Sequence, residues 1–272
     1  MIRLEGELTV LRRADPGTVG WHYLHFALLE VRGEAWGVGE GLELAFVPIE
    51  GRGEVKTATA AYALARESVF QSLPKVLYLP PGTPFRLRAE GGSFLLAVGG
   101  APAEGLFPER FFRSAEMRRE LRGGEAALRQ VNHILGPDLP AERLLLYEVY
   151  TPSGRWSGWP PHRHDGLLGS AYMEETYLYR VEPKEAFALH LNYDPERRER
   201  TLYLARDLDL VLVPRGYHPV AAPPGANVYY LNYMAGELYG EARATPPVDD
   251  PVWAWVKEDW AGKPLRLPLE EG

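Results

Sequence analysis

Residues 155–166 read RWSGWPPHRHDG, and this stretch places His162 and His164 two positions apart. On an extended strand, side chains two apart project from the same face, so both imidazoles can reach one metal ion. A third imidazole, His218, follows a Pro-x-Gly turn in residues 213–220, VPRGYHPV. Proline fixes φ and glycine permits a tight reversal, so the turn aims the next strand sharply. The spacing therefore predicts histidines from different strands that meet at one site.

A carboxylate and two phenols alternate along residues 174–180, EETYLYR. Glu175, Tyr177 and Tyr179 share one strand face. Three neutral imidazoles and one carboxylate suit Zn, Mn, Fe, Co or Ni, and they leave coordination positions open for water or a substrate oxygen. Glu174 is a rival for the carboxylate ligand, because a β-bulge would reverse the parity of the strand.

The composition excludes several classes of protein. The chain has 272 residues, 46% of them hydrophobic and 25% charged, as in a soluble globular protein. The net charge of −7 is dispersed without a basic cluster, so we expect no nucleic-acid partner. No apolar run reaches the roughly 18 residues of a spanning helix and no signal peptide is evident, so we expect no membrane partner and a cytoplasmic location. The absence of cysteine leaves nitrogen and oxygen as metal ligands.

The 28 glycines and 24 prolines recur between short apolar runs, a punctuation that favours an all-β fold of barrels or sandwiches. We predict two β domains, an N-terminal one over 1–113 and a C-terminal one over 141–272 that ends in a tryptophan-rich tail. The charged segment 114–140 is interpreted as a connector, with a helix-like stretch from Ser114 to Leu121.

The His-x-His pair, the later glutamate and the Pro-x-Gly turn before a third histidine resemble the two motifs of the cupin superfamily, which is built on jelly-roll β-barrels. Residues 155–166, 174–180 and 213–236 are similar to segments of the 5-deoxy-glucuronate isomerase family of inositol catabolism, grouped with 4-deoxy-L-threo-5-hexosulose-uronate ketol-isomerase. Ten residues separate His164 from Glu175, a longer spacing than in the general cupin pattern, and the inositol-pathway branch shares such an insertion. The resemblance implies a bicupin, two jelly-roll β-barrels in one chain, whose first barrel is free of metal. It also implies one divalent metal, zinc foremost. Its ligands would be His162, His164, Glu175 and His218.

The resemblance further implies an aldose-ketose isomerase that converts 5-deoxy-D-glucuronate to 5-dehydro-2-deoxy-D-gluconate, with a small-molecule sugar acid as its partner. A base must carry a proton between neighbouring carbons unless a hydride shifts instead. The candidates for this base are Tyr177, Tyr179, Glu174 and His190. An arginine fork would bind the substrate carboxylate. The candidates for it flank the three motifs and are Arg155, Arg180 and Arg215.

Three alternatives stay open at this stage: a related uronate ketol-isomerase, a cupin dioxygenase that uses Fe(II) on the same ligands, and a non-catalytic sugar-binding cupin. A homo-oligomer is compatible with the exposed edges of jelly-roll sheets. His22, His25 and His133 are interpreted as structural histidines. Tyr217 and Tyr230 are further candidates for hydrogen bonds to sugar hydroxyls.

Overall fold

The computed structural model describes residues 1–265 and 267–269, with 52% strand and 7% helix, which confirms the all-β prediction. The strands of the first half are β1 (Ile2–Ala14), β2 (His25–Gly39), β3 (Leu42–Lys56), β4 (Ala61–Arg66), β5 (Val76–Leu79), β6 (Pro84–Ala89), β7 (Phe94–Pro102) and β8 (Arg110–Phe112). Those that follow are β9 (Arg118–Arg122), β10 (Arg129–Leu135), β11 (Leu145–Thr151), β12 (Trp156–Ser157), β13 (His162–Arg163), β14 (Met173–Glu182), β15 (Ala188–Asp194), β16 (Glu199–Ala205), β17 (Leu210–Val213), β18 (Val220–Ala221), β19 (Asn227–Gly236) and β20 (Val248–Asp249).

Helical segments are short throughout the described residues. They are α1 (Pro16–Val19) and the 3-10 turns Ser114–Glu116, Glu125–Ala127, Gly240–Ala244 and Ala254–Lys257. No helix in this part of the chain has both the length and the apolar character needed to cross a membrane.

A closed barrel forms in the first half, because the pairs β2–β6, β6–β3, β3–β7 and β7–β2 return to their starting strand. Strands β2 and β3 have 15 residues each, so each pairs with β7 along its first part and with β6 along its second. Gly51, with φ of 91°, lies where β3 leaves β7. A Cβ there would stand 2.5 Å from the carbonyl oxygen of Ser93, so the bend requires glycine.

The second half contains a six-stranded sheet in the order β17-β14-β19-β11-β10-β9 and a four-stranded sheet in the order β12-β18-β15-β16. The helix expected from Ser114 to Leu121 is wrong. Only Ser114–Glu116 forms a 3-10 turn, and Arg118–Arg122 forms β9, which pairs with β10 along its whole length. Pairing with a distant strand outweighs the local helix propensity of arginine, glutamate and leucine. Residues 114–140 thus carry two strands of the second sheet, and the division of the chain into domains stays a prediction.

Two buried glutamates, one in each half, accept hydrogen bonds from backbone N–H groups of the other half. Glu174 on β14 accepts hydrogen bonds from the backbone N–H groups of residues 22–24, at 2.5 to 2.9 Å. Glu43 on β3 accepts from the backbone N–H groups of residues 142–144, at 2.6 to 2.8 Å. A carboxylate that accepts several backbone N–H groups makes strong, charge-assisted hydrogen bonds. Each half therefore fixes a loop of the other, around a shared apolar core.

Candidate metal centre and its cavity

One face of the six-stranded sheet forms the wall of a cavity of about 280 Å³. The strand register places His133, Tyr147, Asn232 and Tyr177 side by side across β10, β11, β19 and β14. Side chains in register on adjacent strands face the same side of a sheet, and all four line the cavity. The cavity lies at the lower end of the size range of small-molecule sites.

A buried arginine anchors the His-x-His segment. In β13, His162 and Arg163 pair with β20, and Arg163 turns away from the two histidines as the strand parity predicts. Its guanidinium binds Asp165 in bidentate fashion, at 2.9 and 2.7 Å. Asp165 also accepts the backbone N–H of Gly216 at 2.8 Å. Since Gly216 belongs to the turn before His218, this one carboxylate ties the two motif segments together.

The predicted ligands converge beside the cavity. The ring nitrogens of His162, His164 and His218 lie within 4.8 Å of one another. Glu175 Oε2 is 2.8 Å from Nε2 of His164 and 3.2 Å from Nε2 of His218, although it is not part of that mutual group. Neither contact has hydrogen-bond geometry, so these three buried atoms have no hydrogen-bond partner within the described chain. Unpartnered buried polar atoms are costly, and their convergence fits a divalent cation.

Backbone carbonyls orient two of the imidazoles. Nδ1 of His218 is 3.0 Å from the carbonyl oxygen of Gly216, and Nδ1 of His162 is 3.3 Å from that of Pro160. A carbonyl oxygen only accepts, so Nδ1 carries the proton and donates it. The lone pair is then on Nε2, which is the tautomer that a metal ligand needs.

The electrostatics of the cluster favour ligating protonation states. Burial and the neighbouring imidazoles hold the pKa of His162 well below its usual value. Burial alone would raise the pKa of Glu175, but His164 and His218 outweigh it and hold this pKa well below the ordinary range. For His164, burial lowers the pKa while Glu175 raises it, and the net direction is upward. A cation would therefore compete with a proton for the ring nitrogen of His164.

The four candidates for a catalytic base separate in space. Tyr177 lines the cavity, whereas Tyr179 and His190 lie deeper and bind each other through the phenol oxygen and Nδ1 at 2.7 Å. Burial raises the pKa values of Tyr177 and Tyr179 well above 10 and lowers that of His190 to about 3. Glu174 faces the first half and holds the loop at residues 22–24. The structure thus places it away from the cavity, neither as base nor as rival ligand.

None of the arginines predicted to bind a carboxylate lines the cavity. Arg180 has the opposite strand parity to Glu175, and its guanidinium binds Asp207 at 2.7 Å and Glu50 at 2.8 Å. Arg155 and Arg215 lie outside the wall, beside the motif strands. Instead, the cavity wall includes three arginines of the segment interpreted as a connector, Arg118, Arg122 and Arg129. That segment also supplies His133, which the sequence analysis interpreted as structural.

Comparison with known proteins identifies the family. The model of the KduI/IolB family matches residues 3–256. The chain belongs to this family. It is 34% identical over 257 residues to the 5-deoxy-glucuronate isomerase of Geobacillus kaustophilus, covering 90% of both chains. It is 30% identical over 265 residues to that of Listeria monocytogenes, covering 94% of this chain and 95% of the relative. The predicted resemblance is confirmed, and this member of the KduI/IolB family is an isomerase.

Solved structures support the same assignment. An IolB-like protein from Salmonella typhimurium superposes with a TM-score of 0.85 at 32% identity, covering 93% of this chain and 99% of the other. The oxalate decarboxylase of Lactobacillus farciminis superposes with a TM-score of 0.60 at 11% identity. The second likeness shows the fold alone, and together they confirm a cupin-like fold for this KduI/IolB-family isomerase.

Proposed function

We propose that this KduI/IolB-family isomerase uses one divalent metal, zinc foremost, to convert 5-deoxy-D-glucuronate to 5-dehydro-2-deoxy-D-gluconate in cytoplasmic inositol catabolism. The names of the curated relatives support the substrate. The observation that carries the metal dependence is the convergence of three unpartnered buried atoms, Nε2 of His164 and His218 and Oε2 of Glu175. We further propose that the chain is a bicupin, in which each half forms a jelly-roll barrel.

The residues that would hold the cation are His162, His164, Glu175 and His218. When bound, the cation supplies Lewis-acid stabilisation of negative charge on the substrate oxygens. Tyr177 lies beside this set, with its ring centroid 6.0 Å from that of His218.

Two residues of the cavity wall are suited to hold the substrate. Tyr177 keeps its proton near neutral pH because burial and Glu175 raise its pKa. It can therefore donate a hydrogen bond to a substrate oxygen, and it is a weak candidate for removing a proton from carbon. The amide of Asn232 donates to the carbonyl oxygen of Thr176 at 3.0 Å, which leaves its Oδ1 as an acceptor for a sugar hydroxyl.

An NMR time course in deuterated water tests this function. The wild-type protein, with its metal content measured, is incubated with 5-deoxy-D-glucuronate beside the double variant His162→Ala/His164→Ala. We expect ketose from wild type alone. Deuterium at the migrating position would indicate proton transfer, and ketose without deuterium would indicate a hydride shift or a shielded proton. No conversion by zinc-loaded wild type would contradict the assigned substrate.

The family name joins two isomerases, so 4-deoxy-L-threo-5-hexosulose uronate is the second candidate substrate. Both are sugar acids, and the same NMR assay with the second compound separates them by kcat/KM. Turnover without oxygen and without a change of mass would further exclude a dioxygenase. Saturable binding of both compounds without turnover would indicate a sugar-binding protein instead.

A further inference from the structure

Arg129, the first residue of β10, is a buried cation in the cavity wall, 6% exposed. Its Nη1 donates to the carbonyl oxygens of Ala127 and Trp159, at 3.0 Å each. Its Nε and Nη2 donate to no partner among the described residues, and neither is among the fully buried atoms that lack a partner. One edge of the guanidinium is thus accessible and free, in a residue that lines the cavity.

The charges around Arg129 do not balance. Arg118 and Arg122 both bind Glu120, and Arg118 also lies 3.3 Å from Asp138. Three guanidinium groups of the wall therefore face two carboxylates. No carboxylate within the described residues forms an ion pair with Arg129, so the surplus positive charge lies on this residue.

Other buried arginines are satisfied in different ways. Arg66 binds Glu148 at 2.5 Å, and Arg163 binds Asp165 at 2.7 Å. Arg243 has no carboxylate partner in the described part of the chain, but its three nitrogens donate to four backbone carbonyls. Arg129 has neither arrangement. Burial lowers its pKa to about 10, so the guanidinium is still charged at neutral pH. A buried charge without a partner is costly, so an anion from outside would stabilise it.

We propose that the free edge of Arg129 binds the carboxylate of the sugar-acid substrate and makes the isomerase selective for acids over neutral sugars. A guanidinium edge presents two parallel N–H donors that match a carboxylate. The same cavity is lined by His162 and His164, so a substrate anchored at Arg129 can present its other end to the metal site. This inference rests on the proposed function and identifies Arg129 as the residue that recognises the substrate carboxylate.

Kinetics of Arg129→Gln test the assignment with two substrates, 5-deoxy-D-glucuronate and 5-deoxy-D-glucose, in which a hydroxymethyl group replaces the carboxylate. Loss of a buried, charge-assisted pair is expected to raise KM for the acid on the order of 100-fold. The KM for the neutral sugar and the zinc content should stay within about 3-fold of wild type, since the change removes an interaction that only the acid makes. Equal losses for both substrates, or loss of zinc, would show that Arg129 only supports the loop before His162.

Arg155→Gln is the matched control. Arg155 donates to the carbonyl oxygen of Glu125, in the same 3-10 turn whose Ala127 accepts from Arg129, but it does not line the cavity. The Arg155→Gln variant should leave the KM values for both substrates unchanged. If it raised KM for the acid as much as Arg129→Gln, the turn and not the guanidinium edge would be responsible.

Binding separates this inference from the proposed reaction. D-Gluconate carries the carboxylate but no aldehyde or ketone group that could isomerise, and D-sorbitol is its neutral counterpart. Calorimetry with zinc-loaded protein should show gluconate binding that weakens on the order of 100-fold in Arg129→Gln and not in Arg155→Gln. Such a result without turnover of 5-deoxy-D-glucuronate would overturn the reaction and keep the anion site. Equal gluconate affinity in wild type and Arg129→Gln would overturn the anion site whatever the turnover.

Discussion

Replacing Glu174 with alanine should destabilise the isomerase without touching the metal site. Its carboxylate accepts three backbone N–H groups of residues 22–24 and the hydroxyl of Tyr172, at 3.0 Å. Neighbouring Glu175 faces the opposite side of β14, toward the histidines. The alanine variant would therefore lose the hydrogen bonds that hold residues 22–24 of the first half, while Glu175 keeps its position.

The magnitude follows from the groups left without a partner. A buried donor that loses its acceptor costs about 1–3 kcal/mol. Leu24 is fully buried, whereas His22 is exposed and Tyr23 half-buried, so water can reach two of the three N–H groups. We expect the free energy of unfolding to fall by about 3–4 kcal/mol, or roughly 10 °C in melting temperature.

The assay is thermal unfolding of the zinc-loaded protein, with zinc content and kcat measured on the same samples. Glu237→Ala is the matched control, because among the described residues this exposed carboxylate accepts only the N–H of Tyr172, at 3.1 Å. It should cost less than about 1 kcal/mol. Glu174→Gln should fall between wild type and alanine, with kcat within a few-fold of wild type. A kcat that drops 100-fold or more at unchanged melting temperature would refute this reasoning and restore Glu174 as a base.

Three further predictions follow from the same geometry. Asp165→Asn should weaken zinc binding by about 10–100-fold in competition with a chromophoric chelator, because Asp165 holds both ligand segments. The variant Glu196→Gln, which removes the exposed partner of Arg163, should change zinc affinity less than about 3-fold. Tyr177→Phe should lower kcat by about 100-fold at unchanged zinc content, and an unchanged kcat would exclude its hydroxyl from the reaction. Burial lowers the pKa of His25 to about 4, so unfolding takes up a proton and stability should decline as pH falls from about 6.5 to 4; this slope should be smaller in His25→Gln.

Much of the strand pattern could be predicted because it is local. Strands β14 and β19 are buried on both faces, and their sequences are rich in the aromatic and β-branched residues typical of strands. β9 is different, since RRELR at Arg118–Arg122 has no apolar face and consists of good helix formers. Its strand conformation comes from pairing with β10 and from contacts of its arginines in the cavity wall. Neither can be read from a local window of sequence.

The site was predictable to the extent that strand parity fixes it. His162 and His164 share a face, and Glu175 and Tyr177 share another that meets them. The same rule would have excluded Arg180, which is five positions from Glu175 and therefore points to the opposite side. Arg129 could not be found this way, because no sequence rule says which face of a strand closes a cavity. Only its burial without an anionic partner distinguishes it from an ordinary surface arginine.

The adjacent residues Glu174 and Glu175 connect β14 to the first half on one face and to the histidine cluster on the other. Consecutive strand residues face opposite sides, so one glutamate binds the loop of the first half while the next faces the histidines. On the inter-half side, Leu178 and Tyr233 of the same sheet pack in the shared core. The strand that carries Glu175 is therefore held on its other face by hydrogen bonds and packing from the first half. The first half thus stabilises the sheet on which the candidate metal centre lies, although none of its residues belongs to the candidate ligand set.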